Sequence, residues 1–131
     1  MSTPCPLEHH EQATLFQEAA IRARSEFAWS LLFAIPNAGK RSKRQGAYMV
    51  AEGLKEGVPD ICLPLARGGY SALYIELKRV RGSRTSDAQK EWQTKLRLAG
   101  NCAEVCKGAS AASELIQNYL AGNVVKPGGE A

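Results

Sequence analysis

Two short stretches bring together residues able to do chemistry on a charged substrate: Gly57-Val58-Pro59-Asp60 and Ile75-Glu76-Leu77-Lys78. In an extended strand alternate side chains share a face. Glu76 and Lys78 therefore project from one side, and Leu73, Ile75 and Leu77 from the other. Asp60 stands at the mouth of a neighbouring apolar run, directly after a proline. If the two runs pair, Asp60 and Glu76 converge on one point. Two carboxylates held that close repel each other unless a cation lies between them. Oxygen-only ligands select Mg²⁺ or Mn²⁺ rather than zinc. Such a metal polarises a phosphoryl oxygen and lowers the pKa of a bound water. A lysine alongside can orient or help deprotonate that water and offset charge developing on the phosphate. Metal-dependent phosphodiester hydrolysis is the chemistry expected of Asp60, Glu76 and Lys78. Taken alone, E-x-K is more often a polar stripe on a half-exposed strand. The Pro-Asp on an adjacent run and the basic residues nearby weigh against that reading.

The elements that must position these residues follow from periodicity and breakers. Glu8 to Phe27 is rich in Ala, Glu, Gln and Arg and free of Gly and Pro, and reads as a long helix. Its expected core face is Phe16, Ala19, Ala20, Ala23 and Phe27. Trp29 to Ile35, closed by Pro36, reads as a first, largely buried strand. Asn37-Ala38-Gly39 is a turn signal. A shorter helix with Ala47, Val50, Ala51 and Leu54 inward is expected next, ending at Gly57. Ile61 to Leu65 and Ser71 to Arg79 form a hairpin across Arg67-Gly68-Gly69. Ser86 and Gln89 have the spacing of a capping box. They open a helix striped by Ala88, Trp92, Leu96 and Ala99 and stopped by Gly100. Ala103 to Val105 is a short fourth strand. Ala112, Leu115, Ile116, Tyr119 and Leu120 mark a last helix, closed by Gly122. The expected fold class is α/β, a mixed central sheet of about four strands flanked by helices. Residues 1–7 are expected to be a loose leader, 8–121 the domain, and 122–131 a disordered tail.

A chain of 131 residues with 44% apolar content suits one globular domain. No apolar run approaches the ~20 residues of a bilayer span, and no signal-peptide pattern opens the chain. The expected setting is the cytoplasm of a bacterial or phage-infected host cell. Cys5, Cys62, Cys102 and Cys106 fit neither a paired zinc site nor a disulfide framework, and are read as mostly buried thiols. His9 and His10 open the first helix, face solvent and are assigned no metal. The net charge of +4 is a weak sign of an anionic partner. Its distribution is more telling. Lys40, Arg41, Lys43 and Arg44 form one cluster, and Lys78, Arg79, Arg81 and Arg84 a second, as expected where phosphates dock. The plainer reading of either cluster is solvated loop surface.

The whole series resembles the PD-(D/E)xK, restriction-endonuclease-like nucleases, and more narrowly the VRR-NUC family of virus-type replication-repair nucleases. The resemblance runs from about Glu8 to Leu120. It rests on Glu8 with Gln12, Ile35-Pro36-Asn37 and the basic stretch after it, G-V-P-D, I-E-L-K, Gly82, and Ser86 with Gln89. Pro-Asp and E-x-K are short motifs; the full series in this order and spacing is specific. The resemblance implies that Asp60 and Glu76 bind metal, that Lys78 assists the water, and that the first helix adds a carboxylate. Glu8 matches the family's glutamate. Glu11, one turn on, is the second candidate. It also implies a glutamine near the centre at Gln89, which by its own spacing is the N3 residue of the cap. A helix N-terminus beside a metal is a good phosphate site, so both readings are compatible. Asn37 either contacts DNA or makes the turn. Ser86, Arg79, Arg81 and Arg84 complete the expected DNA face.

The leading expectation is a Mg²⁺- or Mn²⁺-dependent, structure-selective DNA endonuclease with no small-molecule cofactor. The resemblance implies branched DNA, a four-way junction or flap, cut during replication, repair or recombination. It also implies a homodimer, which sets two centres on two strands. The alternative is a non-catalytic nucleic-acid-binding module on a nuclease fold. A third reading is an interaction subunit of a larger phage assembly.

Overall fold

The computed structural model describes residues 5–36 and 51–128. In chain order its elements are α1 (Glu8–Arg22), a 3-10 turn (Phe27–Leu31), β1 (Phe33–Ala34), β2 (Ile61–Leu63), β3 (Leu73–Lys78), α2 (Asp87–Leu98), β4 (Cys102–Lys107) and α3 (Ala109–Leu120). The strands form one mixed sheet in the order β1-β2-β3-β4. β2 runs antiparallel to β1 and β3, and β3 runs parallel to β4. This is the expected α/β architecture.

β3 positions the chemistry. It is buried along nearly its whole length, as an inner strand covered on both faces must be. Leu73, Ile75 and Leu77 share one core with Leu15 and Ala19 of α1 and with Ala112, Ile116 and Tyr119 of α3. A fully buried side chain of this kind contributes about 1.5–3 kcal/mol. Tyr119 stays dry at no polar cost, because its hydroxyl donates to the Leu65 carbonyl at 2.6 Å. The β2–β3 hairpin closes through an Arg67–Tyr70 bridge. Gly68 and Gly69, at φ 60° and 89°, make the turn between them. The turn fixes the register, with Ile61 opposite Ile75 and Leu63 opposite Leu73. α2 is the crossover that the parallel β3–β4 pairing requires.

Several expectations are corrected. α1 ends at Arg22 rather than Phe27. Its buried residues are Leu15 and Ala19, while Ala20 is exposed and Phe27 is 74% exposed. The inward stripe is narrower than the one expected, because the chain leaves the helix axis before Phe27 is reached. Trp29 to Ile35 is not one buried strand. Trp29 and Leu32, three apart, point inward and follow a 3-10 period. Only Phe33–Ala34 pairs, and both residues are exposed on the sheet edge. On α2 the buried residues are Gln89 and Gln93, with Trp92 and Leu96 half-buried and Ala99 exposed. This helix turns amides rather than its apolar stripe toward the sheet. Ala47 and Val50 of the expected second helix lie outside the described residues; from Ala51 the chain turns at Gly53, φ 100°, well before Gly57. The chain past Gly122 is held rather than loose over its described part. Val124 packs on the core, and the Lys126 amide donates to the Gly68 carbonyl at 2.8 Å.

Cys62, Cys102 and Cys106 are buried free thiols, as expected. Burial pushes the Cys102 thiol up to about 11 and Cys106 to about 12, which keeps both protonated and inert. Among the described residues, no helix is long and apolar enough to cross a membrane.

Candidate active site

The hairpin register, continued one residue beyond Ile61–Ile75, sets Asp60 opposite Glu76. Asp60 is tied on both sides. Its carbonyl accepts from the Ile35 amide at 2.7 Å, and its Oδ2 accepts from the Leu77 amide at 2.8 Å. Gly57 explains the approach to that position. It takes φ 87°, and a Cβ there would stand 2.6 Å from the Ala88 backbone carbon and 2.7 Å from its oxygen. Only a glycine lets the Gly57–Asp60 segment lie directly on the first turn of α2. The G-V-P-D and S-x-x-Q motifs are therefore in physical contact.

Glu76 is 2% exposed, and its Oε1 has no hydrogen-bond partner. Burial pushes its carboxyl up to about 9. The hydrogen bond and negative charge of Asp60 add to that rise, Lys78 opposes it, and Glu8 contributes further repulsion. A carboxyl so placed either keeps a proton at neutral pH or ionises against a cation. Lys78 is 7% exposed. Its Nζ donates to Gln89 Oε1 at 2.9 Å and stands 3.9 Å from Glu8 Oε1. Gln89 serves both expected roles with one oxygen. Its Oε1 also accepts from the Ser86 amide at 2.8 Å, while its own amide donates to Ser86 Oγ at 3.2 Å. The capping box of α2 thus ends in the lysine of the site.

The two glutamates of α1 part company. Glu8 lines a cleft of about 560 Å³ together with Asp60 and Leu77. Glu11 Oε2 instead accepts from the Ala109 amide at 2.9 Å, at the start of α3. Its carboxylate is turned to that helix rather than to Asp60 and Glu76.

The expected basic face is divided. Arg81 and Arg84 are exposed on the loop before α2. Arg79 is half-buried, with Nη2 donating to the Cys5 carbonyl at 3.5 Å. Ser86 is exposed but spends its hydroxyl on the cap. Asn37, Lys40, Arg41, Lys43 and Arg44 lie outside the described residues. Gln12 and Phe16 also line the cleft, with Ile35 and Pro36 opposite. Glu8, Gln12 and Phe16 are spaced by four, and that helical row was the sign that Phe16 belongs beside the site. His9 is exposed as expected, yet it too borders the cleft.

Among the described residues, no three His, Cys, Asp or Glu side chains form a ready-made metal cage. Asp60 and Glu76 form a pair, with Glu8 beside the lysine. The donors are all carboxylate oxygens, and one of them is buried without a partner. That set fits a hard divalent cation, which binds through one or two carboxylates and keeps several waters.

A model of the VRR-NUC domain matches residues 17–110. Glu8 and Gln12 precede the matched segment. A solved structure described as a VRR_NUC domain protein is 27% identical and superposes with a TM-score of 0.78. The alignment covers 94% of this chain and 95% of that one. No curated protein matches the chain. With the family model spanning most of the chain, over the very segment that carries Asp60, Glu76, Lys78 and Gln89, the chain belongs to the VRR-NUC family of nuclease domains.

Proposed function

We propose that the protein is a Mg²⁺- or Mn²⁺-dependent endodeoxyribonuclease that hydrolyses phosphodiester bonds in branched DNA, a four-way junction or a flap, during replication, repair or recombination. The observation that carries the nuclease reading is the pairing of half-buried Asp60 with buried Glu76, which keeps one partnerless oxygen, beside a lysine held in place by Gln89. Asp60, Glu76 and Glu8 would hold the cation. When bound, the cation supplies Lewis acidity to the phosphoryl oxygen and to the attacking water. Lys78 faces the same point and carries the charge that offsets the developing negative charge on the phosphate. Gln89 fixes that ammonium, so little reorganisation accompanies the reaction. Arg81 and Arg84, together with Lys40, Arg41, Lys43 and Arg44, hold the phosphates of the flanking strand. Branched DNA as substrate, and a homodimer that sets two centres on two strands, are supported by the family resemblance and by the small surface of one copy.

The test is cleavage of labelled duplex, single strand, 5′ flap and four-way junction with Mg²⁺, Mn²⁺ or EDTA, wild type beside Glu76→Ala. Metal-dependent cutting of the branched substrates that disappears in Glu76→Ala, with DNA binding retained, is expected. Substantial activity in the variant would sink the assignment. Binding without any cutting would make the chain a non-catalytic module.

A further inference from the structure

The carboxylate of Glu11 is engaged at the start of α3, and what it holds there is connected to the site. Glu11 Oε2 accepts from the Ala109 amide at 2.9 Å. The preceding residue, Gly108, donates its own amide to the Lys78 carbonyl at 2.8 Å. Gly108 takes φ 93°, and a Cβ there would stand 2.6 Å from the same Glu11 oxygen and 2.9 Å from Val80. The seat of the Glu11 carboxylate thus exists because residue 108 has no side chain. From Lys78 the path returns to α1, since Lys78 Nζ is 3.9 Å from Glu8 Oε1. Glu8 and Glu11 lie three apart on one helix, on the same side. The connections close into a ring: Glu11 to Ala109, Gly108 to Lys78, Lys78 to Glu8, and Glu8 back to Glu11 through the first turn of α1.

The ring answers a mechanical need. Glu8 is the first residue of α1, and Leu7 before it offers no side-chain cap. First turns fray unless they are tied down. Asp60 is fixed to the sheet by two hydrogen bonds, so the place of the Glu8 carboxylate relative to it depends on how the first turn of α1 is seated. Glu11 supplies the anchor. Its acceptor oxygen sits on the Ala109 amide that opens α3, where the aligned backbone dipoles favour a negative charge.

We propose that Glu11 is a positioning residue: by docking the first turn of α1 on the Gly108–Ala109 amide it holds the Glu8 carboxylate over Asp60 and Glu76. It acts through Glu8 and touches neither cation nor substrate. This inference rests on the nuclease reading, so its test begins with a measurement that needs no cleavage.

Mn²⁺ affinity is measured by calorimetry on wild type, Glu11→Ala, Glu8→Gln and the double variant, with thermal melts as fold controls. Glu11→Ala is expected to weaken Mn²⁺ binding about as much as Glu8→Gln does. The double variant should be no weaker than Glu8→Gln alone, because residues acting as one unit are non-additive. Glu11→Gln keeps an acceptor oxygen and should restore affinity to within about threefold of wild type, in the range of a retained hydrogen bond. Should Glu11→Ala melt below the assay temperature, Glu11→Asp, which shortens the reach by one methylene, replaces it with the same expected order. Single variants whose losses multiply in the double variant would overturn the inference, as would a Glu11→Ala protein that binds Mn²⁺ like wild type. A wild type that binds no Mn²⁺ would overturn the nuclease reading together with it.

Discussion

The contact between Gly57 and Ala88 allows a paired experiment with its own control. Gly57→Ala sets a methyl 2.6–2.8 Å from the Ala88 backbone carbon, its carbonyl oxygen and its Cβ, at a residue with φ 87°. Gly53→Ala imposes a similar backbone penalty at φ 100°, but meets nothing within 4 Å. The left-handed conformation costs a non-glycine residue about 1–2 kcal/mol. Forced overpacking against backbone that cannot give way adds about 1–3 kcal/mol. Gly53→Ala should therefore lose about 1–2 kcal/mol, and Gly57→Ala about 2–5 kcal/mol. For a domain of this size each kcal/mol moves Tm by roughly 3–4 °C. Thermal melts should thus separate the two variants by about 3–12 °C, the added packing cost times that slope. Gly57→Ala should also lose turnover below its Tm, because the segment it displaces carries Asp60 and the turn it strikes carries Gln89. Equal Tm losses in the two variants would refute the close-approach explanation. A normal turnover in a destabilised Gly57→Ala protein would refute the coupling of that contact to the site.

Glu76 makes the metal-free protein sensitive to pH. Its folded carboxyl is raised from 4.5 to about 9, so its contribution is fully present below about pH 4.5 and is lost as pH rises toward 9. Urea melts of metal-free wild type should show that decline, while Glu76→Gln should flatten it and leave no cleavage; a parallel decline in the variant would reject the assignment. Lys78→Ala should lower turnover by at least tenfold with little change in Mn²⁺ affinity by calorimetry, as removal of a transition-state contact does. Lost metal binding instead would contradict its role toward water and phosphate. Neutralising Lys40, Arg41, Lys43 and Arg44 together should weaken DNA binding and reduce the salt slope by up to about 4 on a logarithmic plot. An unchanged slope would make that cluster ordinary surface.

The geometry of Asp60 and Glu76 was readable because a hairpin with a short glycine turn has a determined register, and both side chains follow from it. The capping role of Gln89 was readable because a capping box is a local pattern, whereas its place near the centre came from the family resemblance alone. Glu8 and Glu11 were not separable, because residues three apart face the same way on an isolated helix. What separates them is the docking of α1 on α3, a contact between distant parts of the chain. The burial of Glu76 was understated for the same reason: an alternating strand looks half-exposed until α2 lies over its polar face. The stretch from Trp29 to Ile35 misled because a short apolar run has no period long enough to distinguish a strand from a tight helical turn. Leu15 was passed over in favour of Phe16 and Ala20, although it is the side chain of α1 fully sealed in the core.

The hairpin also orders events in time. Asp60 and the Leu77 amide it binds are 17 residues apart, whereas Glu11 and the Ala109 amide are separated by 98. Closing the shorter loop costs less chain entropy. In a chain still leaving the ribosome, the carboxylate pair can meet while α3 is unmade. The first turn of α1 cannot be seated until Ala109 has emerged. On the anchoring proposed for Glu11, a site divided in this way between an early piece and a late one leaves the Glu8 carboxylate unplaced until nearly the whole domain exists.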